Sequence, residues 1–128
     1  MKHAAVTDKI IAVFYEVYNE LGSGFLESVY ANAMALALKG AGLTVERERP
    51  IAVQFRGSVI GDFRADIVVE GVVLCELKAM SALDSTAEAQ MLNYLRATDI
   101  EVGLLLNFGK EAKVKRFVFD NPRKRNPC

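Results

Sequence analysis

Apolar residues recur at helical spacing over residues 8–21, where Ile10, Ile11, Phe14, Val17, Tyr18 and Leu21 form one stripe. Thr7 is placed to cap this helix, and Gly22-Ser23-Gly24 ends it. A second helix is predicted over 25–39. It is rich in alanine (Ala31, Ala33, Ala35, Ala37) and apolar on most sides, so it should be largely buried or lie at an interface. Gly40 and Gly42 end it. The periodicity then changes to that of strands. Residues 44–49 alternate as an exposed strand, Pro50 interrupts it, and 51–55 resume. Gly57-Ser58 reads as a turn, 59–69 as a long strand and 72–77 as the next. Residues 85–97 form a third helix with Asp84 or Ser85 as cap. Residues 101–108 are a buried strand, 113–119 an edge strand, and 120–128 a loose basic tail. The order α-α-β-β-β-β-α-β-β is that of an α/β (α+β) domain, a mixed sheet with helices packed on it.

With 128 residues, no linker and no repeat, the expectation is a single domain over 1–128 with a real core. No apolar run approaches the roughly 20 residues that span a bilayer. Met1-Lys2-His3 opens no signal peptide, so a cytoplasmic setting without membrane contact is expected. Cys75 reads as a buried strand residue and Cys128 is the last residue, which argues against a disulfide framework. With His3 the single histidine, a Cys/His zinc site is excluded. Net charge is zero but unevenly spread. Residues 65–108 carry two basic and seven acidic side chains, and 109–128 carry seven basic and two acidic. The basic end could follow a phosphate backbone or simply be a solvated tail.

The acidic middle holds the most informative residues. Asp66 opens one apolar strand, and Glu76 and Lys78 close the next. Ionised groups in a buried sheet cost folding energy unless something pairs with them. Two carboxylates and an ammonium at a sheet edge suit a divalent cation acting on phosphate. The alternative is a buried salt bridge among the three, which rarely gains stability over apolar packing. Glu76 and Lys78 share a strand face, so Asp66 must join it for one metal to touch both acids. A two-residue turn at Glu70-Gly71 would put Asp66 on the wrong side. A three-residue loop, Val69-Glu70-Gly71, pairs Asp66 with Leu74 and closes the site. Asp66 and Glu76 would then ligate Mg²⁺, with the backbone carbonyl of Leu77 nearby, and Lys78 would orient the attacking water or offset developing charge.

Glu27 lies on an otherwise apolar helix, three residues before Tyr30. It is either a further acid facing the metal or a partner for the helix dipole. Gln90 and Tyr94 are four apart beside the core stripe of the third helix; Gln90 either lines the site or bonds a strand end. Arg64 is expected to pair with Asp66 or Glu70. His3 has no assigned role. No Walker loop, GxGxxG or nucleophile elbow is present, which argues against P-loop hydrolysis and acyl transfer.

Asp66 followed by Glu76-Leu77-Lys78 resembles the core motif of the PD-(D/E)XK nuclease superfamily, with Ala65 where its name has proline. Gln90-Met91-Leu92-Asn93-Tyr94 resembles the QxxxY element of its recombination-exonuclease-like branch. Gly24-Phe25-Leu26-Glu27-Ser28-Val29-Tyr30 is similar to the signature of the prokaryotic GxxExxY family within it. Glu76-Leu77-Lys78-Ala79 and Leu106-Asn107-Phe108-Gly109 extend the likeness, which runs from about Thr7 to Phe119. The resemblance implies a restriction-endonuclease-like αβββαβ core with an extra N-terminal helix, and Mg²⁺ or Mn²⁺ held by Asp66 and Glu76. It makes Lys78 the catalytic lysine and Glu27 the helix acid near the metal, with Gln90 and Tyr94 supporting. The expected activity is hydrolysis of DNA phosphodiester bonds, RNA being left open, in repair, recombination or defence. The alternative is a catalytically silent or partner-dependent subunit, with a homodimer or a larger protein partner as the assembly.

Overall fold

The computed structural model describes residues 2–120. Helices α1 (Ala4–Leu21) and α2 (Glu27–Gly40) precede strands β1 (Val45–Phe55), β2 (Ser58–Val69) and β3 (Val73–Lys78). Helix α3 (Ser85–Ala97) crosses to β4 (Val102–Phe108), and β5 (Ala112–Val118) closes the chain order. The five strands form one sheet in the order β1-β2-β3-β4-β5. Only β3 and β4 run parallel, joined through α3, as a parallel pair requires; the other neighbours are antiparallel. From α2 to β4 the order is the expected αβββαβ, with α1 as the additional N-terminal helix.

The sheet separates two halves of the core. Ile10, Phe14 and Val17 of α1 and Tyr30, Met34 and Leu38 of α2 cover Ile67, Val69, Val73, Cys75, Leu77 and the even-numbered apolar residues of β4. On the other face Ala87, Met91, Tyr94 and Leu95 of α3 cover Val68, Leu74 and Leu105. Alternation along β3 therefore sends Cys75 and Leu77 to one side and Glu76 to the other, as the sequence predicts. Helix α2 buries one face, while Leu26 before it and Leu36 within it remain largely exposed.

Several local expectations are corrected. Thr7 does not cap α1. It is buried inside the helix, its hydroxyl donating to the carbonyl of Ala4 (3.1 Å), because α1 starts earlier and is anchored by Lys2 against Glu101 (2.9 Å) and Asp120 (3.2 Å). Pro50 does not interrupt a strand, since β1 is an edge, where a missing N–H is tolerated. The β1–β2 turn is Arg56-Gly57 rather than Gly57-Ser58; both residues have positive φ, the geometry of a type I′ hairpin. The β2–β3 connection has three residues as expected, but they are Glu70-Gly71-Val72. The second helix begins at Glu27, not at residue 25. Of the expected 120–128 tail, residues 121–128 lie outside the described residues.

Candidate active site

The β2–β3 ladder runs from Val69↔Val73 to Ile67↔Cys75, so Asp66 comes opposite Glu76, not Leu74. The one-residue slide of the loop moves the register by two, which preserves the parity of the pairing. Beyond Cys75 the carboxylates replace the ladder. The main-chain N–H of Asp66 donates to Oε1 of Glu76 (3.1 Å), and the N–H of Leu77 donates to Oδ2 of Asp66 (2.9 Å). Each strand thus offers a backbone donor to the acid of the other. The backbone is irregular here. Ala65 packs on the α3 side and Ile67 on the α1–α2 side, although they are two residues apart. Glu48, which the β1–β2 register places across from Asp66, has a φ of 51°.

Glu76 is only 5% exposed. Burial, and next the charge of Asp66, push its pKa up to about 8, while Lys78 pulls the other way. The two carboxyl groups also lie within hydrogen-bonding reach of one another. Such a pair needs a proton or a cation between its oxygens. An all-oxygen donor set of two carboxylates fits a hard divalent cation in place of that proton. Among the described residues no group of three or more His, Cys, Asp or Glu side chains converges, so the acids stand as a pair.

Helix α3 packs on the side of the sheet that carries Leu74 and Leu105. Burial raises the pKa of Tyr94, followed by the negative charges of Glu76 and Asp66, and a hydrogen bond with Gln90 opposes the rise. Tyr94 is thus close enough to the acid pair to feel its charge, Gln90 bonds Tyr94, and Lys78 acts on Glu76. Glu27 comes to Asp66 from the other direction. It is the exposed first residue of α2, where no side chain caps the helix, and it lines a cavity of about 220 Å³ with Ser28, Ala31, Arg47, Glu48 and Asp66. Tyr30 turns away from it. Its buried ring stacks on Phe108 (centroids 4.1 Å apart), and its hydroxyl bonds Gly22 and Phe25, fixing the turn from which Glu27 emerges.

Arg64 pairs with neither expected acid; its guanidinium meets the carbonyl of Glu48 at 3.4 Å. Glu70 instead binds the N–H (2.6 Å) and hydroxyl of Thr44. Asn107 carries a structural role that its place in the Leu106–Gly109 stretch did not disclose. It is fully buried and holds the main chain of Met80, two residues past Lys78. Its one visible signal was a lone amide in the run Leu104-Leu105-Leu106-Asn107-Phe108.

Solved structures that resemble this fold include two of different coverage. One is the crystal structure of SSO0001, with a TM-score of 0.56, 17% identity, and coverage of 78% of this chain and 55% of that one. The other is an alkaline exonuclease from Laribacter hongkongensis, with a TM-score of 0.55, 11% identity, and coverage of 98% and 75%. The chain thus spans about half the length of the first. No curated protein matches the sequence. A family model described as the PD-(D/E)XK nuclease superfamily matches residues 4–117. Members of that superfamily generally use divalent metal ions, in keeping with the paired oxygen donors on β2 and β3. The chain belongs to the PD-(D/E)XK nuclease superfamily.

Proposed function

We propose that this protein is a divalent-metal-dependent nuclease that hydrolyses DNA phosphodiester bonds, in repair, recombination or defence, and that within its superfamily it falls in the GxxExxY group. Asp66 and Glu76 would hold Mg²⁺ or Mn²⁺ with the Leu77 carbonyl. A bound cation supplies Lewis acidity at the phosphate and a lowered pKa for water. Lys78 would place its ammonium against the attacking water or the phosphate oxygen that gains charge. Gln90 would aim the Tyr94 hydroxyl at a non-bridging oxygen, and Glu27 would add a further acid through the small cavity. The observation that carries this reading is the mutual bracing of Asp66 and Glu76, a close pair of acids that, once both are ionised, calls for a cation between them. A cleavage screen with Mg²⁺ or Mn²⁺ over single-stranded, duplex, flap and junction DNA tests it. Lys78→Ala and Asp66→Asn should each abolish cutting; cutting that persists in Lys78→Ala would overturn the assignment.

A second reading keeps the fold without the chemistry, as a silent or partner-dependent binding subunit. It draws on the convergence of only two acids among the described residues. Calorimetric titration with Mn²⁺ separates the two, because the silent module has no need of the metal.

A further inference from the structure

The β1–β2 hairpin continues well past the point where β2 leaves β3, and its outer part pairs only within itself. Between this arm and α3 lies a second cavity, of about 700 Å³, lined by Gln54, Phe63, Asn93 and Arg96 with small apolar residues of β1 and α3 between them. Phe63 is 42% exposed and contacts Tyr94 with ring centroids 5.5 Å apart. Tyr94, which packs on Phe63 beside the groove, also feels the charges of Asp66 and Glu76. Phe63 precedes Asp66 by three residues on β2, about 10 Å along the strand.

We propose that this groove is a nucleobase subsite, and that the substrate is a single strand whose base next to the reacting phosphate is held there. The inference rests on the nuclease reading above and specifies its substrate. An exposed aromatic ring provides a stacking face for any base. The side-chain amides of Gln54 and Asn93 offer both donors and acceptors to a base edge, and Arg96 supplies a cation for the adjoining phosphate. Arg96 lines the groove and its guanidinium also lies over the ring of Phe119 (5.6 Å). A base stacked within a duplex cannot enter such a groove without being extruded, so the site favours unpaired strands.

The test is binding of a short oligonucleotide carrying 2-aminopurine to the whole chain, as single strand and as blunt duplex. The single strand should bind at least tenfold more tightly, with its fluorescence quenched. Phe63→Ala and Phe63→Leu should each weaken binding about tenfold and relieve the quench, and Phe63→Tyr should restore both. Phe63→Leu keeps the apolar volume, so a loss seen there reports the aromatic face and not folding. Equal affinity for single strand and duplex, or unchanged quenching in Phe63→Leu, would overturn the subsite. Hydrolysis of bis(p-nitrophenyl) phosphate by the wild type with Mn²⁺ is measured alongside. That diester carries no base, so its failure would strike the nuclease reading, whereas loss of the quench strikes only the groove.

Discussion

Asn107 holds both main-chain polar groups of Met80: its Oδ1 accepts from the Met80 N–H (3.0 Å) and its Nδ2 donates to the Met80 carbonyl (2.9 Å). Through this clamp β4 fixes the chain just beyond Lys78. Gly109 lets the two segments close, because a Cβ there would lie 2.2 Å from the Met80 oxygen. Asn107→Leu keeps the volume but strips both backbone partners, each loss costing about 1–3 kcal/mol if water cannot reach the group. Gly109→Ala pushes backbone against backbone and should destabilise comparably. Both changes undo the same contact, so the double variant should cost less than the sum of the singles. Denaturant unfolding of the three variants checks this; strict additivity would mean that the clamp is not one unit.

Glu76 sets a pH dependence. Its folded pKa, near 8, lies above the unfolded carboxylate value, so the folded chain binds this proton more tightly. That contribution is complete below the unfolded pKa of about 4.3 and is lost as pH rises through the folded value. Metal-free protein should therefore lose thermal stability from pH 5 to pH 8, and Glu76→Gln should flatten the trend. The same variant should raise the melting temperature at pH 8, where the wild type begins to hold two charged acids together. Melting curves across this range decide it; a wild type that gains stability over that interval would contradict the assigned direction.

Period and parity carried most of this fold and site into the sequence. The helical stripe of α3 set Gln90 and Tyr94 on one face, and alternation along β3 separated Glu76 from Cys75. Which acid faces which residue was less legible, because Glu70-Gly71-Val72 and Val69-Glu70-Gly71 are equally good three-residue loops by composition. The choice is made by Glu70, whose left-handed backbone (φ 54°) is held by its bond to Thr44, 26 residues away. Pro50 and Thr7 depart from their local pattern for the same reason. Whether a proline lies on an edge depends on the sheet order, and whether a threonine starts a helix depends on Lys2 finding Glu101. The clamp by Asn107 and the cross-strand bonds of Asp66 likewise join positions that no local pattern connects.

Cys75 should be chemically silent in the folded protein. It is fully buried on the α1–α2 side, and burial, then the charges of Glu76 and Asp66, push its thiol well above the usual range. The thiolate is the reactive form, so native Cys75 has neither access nor ionisation. In a Cys128→Ser background it is the single thiol of the chain. Alkylation by iodoacetamide should then proceed at the rate of unfolding, rising with denaturant and with the destabilising changes at Asn107 or Gly109. Rapid labelling of the native protein at neutral pH would refute the burial.

Tyr30 joins two jobs that one substitution separates. Its ring lies parallel to that of Phe108 (11° between planes), and its hydroxyl accepts from the N–H of Phe25 (3.2 Å) and donates to the carbonyl of Gly22. Tyr30→Phe keeps the stack and removes both bonds. Gly22 and Phe25 are not buried, so water can replace the lost partner, and the cost should fall near 1 kcal/mol. Tyr30→Leu also forfeits the aromatic pair and should cost about 1 kcal/mol more. The consequence for the site is positional: the α1–α2 turn loosens and Glu27, first residue of α2, loses its fixed exit. If Glu27 serves the reaction as proposed, Tyr30→Phe should lower cleavage at a temperature where the protein remains folded, and Glu27→Ala should leave Tyr30→Phe with no further effect. Unfolding midpoints and cleavage rates of the single and double variants test both halves, and independent, multiplying losses would remove Glu27 from the path.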